Sequence, residues 1–267
     1  RKPCAVLGMG GFVSGPGGLM AWLLRRPLLI HEQNAIPGMT NRMLAKLANT
    51  IMQAFPDSFK TGAVHVGNPV RREIASLPSP EQRMKNRTGP LRLLVFGGSL
   101  GASRLNEVVP QVLAKIPEES RPEVVHQAGP KNLEQACANY ANLKIQAKIE
   151  AYIDDMAASY AWADVVICRA GAMTIAELAA AGVASILVPY PFAVDDHQTA
   201  NARYLSEQDA ALLLPQNELD IDSLMNILNA MTRDKALSMA NKARQLGMPE
   251  ATRLVAEQCL LAGGISC

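Results

Sequence analysis

The sequence predicts an α/β protein of doubly wound parallel sheets. Two observations carry this. Short apolar runs rich in β-branched residues alternate with helical patterns along nearly the whole chain. Between strand and helix the chain repeatedly turns through glycine, at 8–18, 97–101 and 169–171. The 267 residues suffice for two ordinary domains, and an apolar content of 49 % is normal for packed cores. A net charge of +2 gives no basis for nucleic-acid binding by bulk charge. No apolar run approaches the roughly 20 residues of a membrane span. Five scattered cysteines without metal spacing fit reduced thiols in a cytosolic protein.

Taken in order, residues 4–8 read as a strand and 19–26 as a helix. The stretch Met9 to Gly18 between them reads as a Gly-rich loop. Such a loop lets backbone approach a phosphate, but it is not a Walker loop, because no Gly-Lys-Ser/Thr follows. It serves equally as a flexible turn. Residues 28–31 form the next strand, and His31-Glu32-Gln33-Asn34 stand at its carboxyl end, where α/β proteins place ligand contacts. Glu32 beside His31 suits a base and its partner, and caps or loop bonds suit these residues equally. A helix fits 39–47, with short strands at 50–54 and 63–66. Residues 73–90, rich in Pro and charge, read as the linker between a domain spanning 1–72 and a second spanning 91–245. A terminal helix occupies 246–267.

The second domain opens with a strand at 91–97, a Gly-rich turn containing Ser99 and a helix at 104–116. Further strands fit 122–127, 144–149, 164–168, 184–188 and 210–214. Helices fit 131–140, 155–162, 173–181, 196–206, 219–231, 233–245 and 249–262. The second strand of this unit ends in Val125-His126-Gln127, without the acidic residue an NAD site uses. Asp154-Asp155 and Asp195-Asp196 read as helix caps rather than metal ligands.

The richest stretch is 163–182. A buried strand turns through Arg169-Ala170-Gly171 into a helix closed by Gly182. The helix start favours an anion. Glu177, within the first two turns, can accept from vicinal hydroxyls. The pair suggests a nucleotide, although an ordinary strand–turn–helix corner has the same parts.

Together the loops closely resemble the MurG family, bacterial UDP-N-acetylglucosamine (UDP-GlcNAc) transferases that convert lipid I to lipid II. The matching motifs are Gly8 to Gly17, His31-Glu32-Gln33-Asn34, Gly67-Asn68-Pro69-Val70-Arg71, Gly97-Gly98-Ser99-Leu100-Gly101, Cys168 to Thr174 with Glu177, and Asp196-His197-Gln198 with Asn201. The resemblance implies a GT-B architecture of two Rossmann-like domains with a cleft between them. It implies that Ile153 bonds the uracil through its backbone, and that Glu177 holds the ribose. Ser99 and the backbone near Ala172, Met173 and Thr174 would meet the diphosphate, with Ile175 and Ala176 also among the donor-binding residues. Gln198 would orient the sugar, with Asn34 and Arg71 as further donor contacts. Gly10, Gly11, Ser14 and Gly15 would bind the diphosphate of the acceptor, undecaprenyl-pyrophosphoryl-MurNAc-pentapeptide. Glu32 and His31 are the candidate bases for an inverting displacement. No cofactor or metal is implied by the resemblance.

The resemblance also implies a peripheral protein on the cytoplasmic face of the inner membrane. The helix ending Trp22-Leu23-Leu24-Arg25-Arg26 suits contact with anionic lipid, or else burial with favourable C-terminal charges. Two departures stand out. Phe192 replaces an expected polar residue. The family's first Gly-rich loop, with its histidine, has no counterpart here, so a segment preceding Arg1 is expected. A UDP-GlcNAc 2-epimerase and a non-catalytic nucleotide-sugar binding module are the alternatives.

Overall fold

The computed structural model describes residues 2–98 and 101–264. The chain forms two compact units, Arg1–Arg71 with Met248–Cys267, and Arg72–Gly247. The first unit contains β1 (Val6–Gly8), α1 (Gly11–Leu23), β2 (Leu28–Glu32), α2 (Met39–Leu44), β3 (Thr50–Gln53) and β4 (Ala63–His65). The second contains α3 (Arg72–Ala75), α4 (Pro80–Met84), β5 (Arg92–Phe96), α5 (Ser103–Lys115), β6 (Glu123–Gln127), α6 (Leu133–Asn142), β7 (Lys148–Glu150) and α7 (Met156–Trp162). It continues through β8 (Val165–Cys168), α8 (Ala172–Ala181), β9 (Ala184–Leu187), α9 (His197–Ser206), β10 (Ala211–Leu213), α10 (Ile221–Asn229) and α11 (Arg233–Leu246). The last helix, α12 (Ala251–Ala262), returns to the first unit. Every expected strand is present, and every strand pairing is parallel.

In the first unit the sheet order is β1-β2-β3-β4. The five residues of β2 are all buried, because both sheet faces are covered. Leu28 and Ile30 join Ala21 of α1 and Leu44 of α2. Leu29, pointing the other way, joins Met52 and Val255 of α12.

α1 begins at Gly11, where a loop was expected to run to Gly18. The glycines serve packing instead: a Cβ on Gly18 would lie 2.8 Å from Leu44 side-chain carbons. Close approach of α1 and α2 thus uses residues that read locally as loop formers. Only Gly10, the N-cap at φ 78°, and Gly11 take left-handed backbone here.

The second unit's sheet runs β10-β9-β8-β5-β6-β7. From β5 the chain builds outward through β6 and β7, then crosses to β8 on the other side of β5. This reversal places a crevice at the carboxyl ends of β5 and β8, where Phe96 pairs with Cys168. Leu93, Val95, Ile167 and Ile186 pack against Leu105, Val109 and Val112 of α5 in the main core.

The Pro- and charge-rich segment read as a linker folds as α3 and α4 within this second unit. Ser79 caps α4 and Pro80 is its first residue. Arg83 explains its docking. Its guanidinium donates to Tyr160 O at 2.8 Å, Ala181 O at 2.7 Å and Gly182 O at 2.5 Å. It thereby satisfies the carbonyl end of α8 and ties it to α7.

Candidate active site

At the crevice lies a pocket of about 210 Å³. Phe96 and Gln127, ending β5 and β6, form one wall, with Gly98 beyond Phe96. Tyr152, Ile153 and Met156 close a second side, and Thr174 and Glu177 of α8 a third. The Gln127 side chain donates to Ala151 O at 2.9 Å, pinning the segment that carries Tyr152 and Ile153. A larger open groove of about 470 Å³ lies between α5 and α6, lined by Glu107, Gln111, Asn139 and Asn142, with no glycine turn.

The turn after β5 is tight. A Cβ on Gly101 would stand 2.0 Å from Ala128 O, and one on Gly97 would stand 2.3 Å from Ala102 N. Gly98, at φ 87°, faces open space instead. Backbone there is accessible to a ligand because no side chain covers it. Ser99, the expected phosphate contact in this turn, lies outside the described residues.

The N-cap of α8 is Gly171, which makes no side-chain capping bond. The run Ala172, Met173, Thr174, Ile175 and Ala176 therefore supplies an amide-rich, electropositive helix end beside the pocket. Glu177 sits one turn deeper, and its Oε2 accepts from the Tyr160 hydroxyl at 3.0 Å. Three of the expected residues, Ile153, Thr174 and Glu177, thus share one cavity.

The turn before α8 is held from α9. Gln198 Oε1 accepts from Ala170 N at 3.2 Å and Tyr190 N at 2.9 Å, and Asn201 donates to Ala170 O at 3.3 Å. Arg169 clamps the same loop through Val188 O and Pro189 O, both at 3.1 Å, and through Gln216 Oε1 at 2.5 Å. Its guanidinium lies 5.5 Å from the Tyr190 ring centroid. Phe192 is 79 % exposed and meets Tyr190 edge-on at 5.6 Å, so it lies at the rim of this loop. Asp155 caps α7 as expected, accepting from Ala158 N at 2.8 Å. Asp196 occupies the N-cap of α9 but makes no capping bond, because both it and Asp195 take left-handed backbone, at φ 52° and 51°. That corrects the capping expectation for Asp196.

In the first unit, Gly10, Gly11, Ser14 and Gly15 form the opening turns of α1, with Ser14 Oγ donating to Gly10 O. A Cβ on Gly10 would stand 3.2 Å from Asn41 Nδ2 and 3.3 Å from Gln33 Oε1, so this helix start adjoins the loop after β2. In that loop Glu32 is 2 % exposed. Its Oε1 accepts from Asn34 N at 2.9 Å and Asn34 Nδ2 at 3.3 Å. Its Oε2 accepts from Gly38 N at 3.1 Å and Asn41 Nδ2 at 2.8 Å. Four donors fill a carboxylate's acceptor sites. His31 is fully buried. Its Nε2 donates to Gly67 O at 2.9 Å, and Nδ1 accepts from Gln33 Nε2 at 3.2 Å. Burial lowers its pKa, against the opposing pull of the Gly67 carbonyl and Glu32. Both candidate bases are thereby engaged within the loop that presents Asn34. Arg71 is exposed at the end of this unit's first segment.

Sequence reasoning did not single out Tyr160, Tyr152 or Asn41. Tyr160 lies in an apolar helical run with no local mark of a polar task. Its partner is 17 residues away on another helix.

The glycosyltransferase family 28 C-terminal domain matches residues 92–256, and the family's N-terminal domain matches residues 1–53. A UDP-N-acetylglucosamine--N-acetylmuramyl-(pentapeptide) pyrophosphoryl-undecaprenol N-acetylglucosamine transferase of Nitrosospira multiformis is 54 % identical over 261 residues, 97 % of this chain and 73 % of the relative. The crystal structure of Acinetobacter baumannii MurG superposes with a TM-score of 0.89 at 41 % identity, covering 96 % of this chain and 73 % of that one. The UDP-GlcNAc 2-epimerase of Neisseria meningitidis, at 11 % identity and TM-score 0.63 over 97 % of this chain and 76 % of that one, shares the fold alone. Two parallel-sheet α/β units, the motif order and these identities converge: the chain has the GT-B architecture and belongs to glycosyltransferase family 28, among the MurG N-acetylglucosamine transferases.

Proposed function

We propose that this chain transfers N-acetylglucosamine from UDP-GlcNAc to the 4-hydroxyl of the MurNAc-pentapeptide of lipid I, giving lipid II for peptidoglycan. The carrying observation is the pocket that joins Ile153, Thr174 and Glu177 beside the uncapped start of α8. A uracil fits against the Tyr152–Ile153 segment, the ribose hydroxyls at Glu177, and the diphosphate at the Met173–Thr174 amides and the Gly98 turn. The reaction is a single inverting displacement. The acceptor oxygen forms a bond to the anomeric carbon as the bond to the β-phosphate oxygen breaks. UDP leaves with the electron pair, and the hydroxyl proton passes to a base. Charge grows on the diphosphate, where a fixed helix dipole stabilises it without reorganisation.

Gln198 has its Oε1 committed to two backbone amides, so its Nε2 is the end suited to a sugar oxygen. Asn34 and Arg71 are further donor contacts in this reading. Gly10, Gly11, Ser14 and Gly15 meet the acceptor diphosphate at the start of α1. For His31 and Glu32 the hydrogen bonds favour positioning of Asn34 over proton transfer.

The protein in this reading binds the cytoplasmic face of the inner membrane peripherally. The support is α1, of which only Gly18 and Ala21 are buried. Phe12 at 89 %, Val13 at 84 % and Leu24 at 64 % are exposed, with Trp22, Met39 and Met43 on the same pair of packed helices. Arg25, Arg42 and Lys46 are exposed nearby in sequence. An apolar face with cationic neighbours suits anionic lipid. These exposures favour the lipid contact over a buried helix. Among the described residues no helix is long and apolar enough to cross a membrane.

The test is transfer of radiolabelled GlcNAc from UDP-GlcNAc to a lipid I analogue, with products separated by chromatography. A labelled disaccharide lipid supports the reading. Donor binding without any transfer, in the full-length protein, would instead support a binding module. Release of the 2-epimer of the donor without acceptor would support the epimerase.

A further inference from the structure

The Tyr160 hydroxyl donates to the Glu177 carboxylate at 3.0 Å, and it comes from a side chain with no exposed surface. A buried hydroxyl needs a partner, and a carboxylate is a strong one. The Tyr160 ring is itself confined. It meets Phe96 edge-on, with centroids 6.2 Å apart and planes at 67°, and Phe96 walls the same pocket. Both helices that carry the pair are also locked. The Arg83 guanidinium donates to Tyr160 O and to the last carbonyls of α8, so one side chain holds α7 and α8 in fixed relation. A glutamate has three rotatable side-chain bonds, and a contact that fixes them beforehand lowers the entropy lost when a ligand is bound.

We propose that Tyr160 is a positioning residue of the ribose site: its buried hydroxyl orients the Glu177 carboxylate before the nucleotide arrives, so that the vicinal hydroxyls meet a preformed acceptor. This rests on the reading that Glu177 holds the ribose. Tyr160 touches no reacting atom, and its hydroxyl acts on the ribose through Glu177. The signature is therefore specific: removing the hydroxyl weakens only ligands that carry ribose hydroxyls.

The experiment is a titration cycle with UDP and 2′,3′-dideoxy-UDP on the wild-type protein, Tyr160→Phe and Glu177→Ala. Tyr160→Phe keeps the ring and its contact with Phe96. It is expected to weaken UDP about tenfold, in line with one hydrogen bond to a charged group, while dideoxy-UDP binds as it does to the wild type. The ratio of the two affinities within one variant is independent of how much of that variant is folded. An equal loss for both ligands would mean that the hydroxyl serves packing only and would overturn the proposal. So would unchanged UDP binding. Glu177→Ala separates the two levels of the argument. If it abolishes the discrimination between the ligands while Tyr160→Phe leaves it intact, the ribose assignment stands and the Tyr160 proposal fails. If Glu177→Ala leaves the discrimination intact, the ribose assignment itself fails.

Discussion

Glu32 and Asn41 are locked together: the Asn41 side-chain amide donates to Glu32 Oε2 at 2.8 Å, and also to His31 O at 3.1 Å. With Asn34 N and Gly38 N on the same carboxylate, Glu32 closes the loop 33–38 onto the end of β2. Glu32→Gln places an NH2 group against N–H donors. It is expected to destabilise the first unit by about 2–4 kcal/mol and to lower transfer. A positioning role leaves the shape of the pH–rate profile unchanged. Loss of the acidic limb of that profile would return Glu32 to the role of base.

His126 titrates in a buried network. Its Nε2 donates to Asn106 Oδ1 at 2.9 Å, and its Nδ1 accepts from the Tyr140 hydroxyl at 2.8 Å. Burial pushes its pKa down to about 4. The folded state then holds fewer protons than the unfolded state between about pH 6.5 and pH 4. Stability is fully present above pH 6.5 and falls as pH drops through that window, by roughly 3 kcal/mol from this group. His31, lowered in the same direction, adds to the slope. Urea midpoints measured from pH 7 to pH 4 are expected to fall less steeply for His126→Gln than for the wild type. Parallel curves would sink the assignment.

Asp164 anchors the entry to β8. It is buried, pairs with Arg87 at 2.5 Å and Arg233 at 3.3 Å, and accepts from Arg92 N at 3.0 Å. Asp164→Ala removes the counter-charge of two partly buried guanidinium groups, which keep only carbonyl partners, and leaves the Arg92 amide without its acceptor. A loss of about 3–5 kcal/mol is expected, read as a drop in the denaturation midpoint of the second unit. A change below about 1 kcal/mol would show that the arginines find water instead.

The exposed face of α1 predicts lipid binding. Trp22→Ala with Arg25→Glu is expected to weaken sedimentation with phosphatidylglycerol vesicles several-fold, and high salt to weaken wild-type binding in the same direction. Neither residue lies in the nucleotide pocket, so UDP affinity should stay constant. Vesicle binding that is indifferent to both changes would rule this face out.

The sequence by itself determined the alternation of strands and helices, because burial on both faces demands continuous β-branched runs such as Val165-Val166-Ile167, and helices demand their own period. It also determined the family, through short loops whose glycines and polar residues stand in a fixed order. Local pattern failed at α1, where Gly18 serves contact with Leu44 and not loop freedom. It failed in the same way at Arg83, whose carbonyl partners at Tyr160, Ala181 and Gly182 lie 77 to 99 residues away. The tertiary structure alone decided that β8 pairs with β5, which brings Glu177 to the Phe96 end of the sheet. It alone decided that Glu32 is saturated by four donors and that Tyr160 reaches Glu177. The physical reason is common to all of these. Period and propensity act over a turn or a strand, whereas a buried polar group takes whichever partner the packed chain brings within 3 Å, and residue type does not encode that partner.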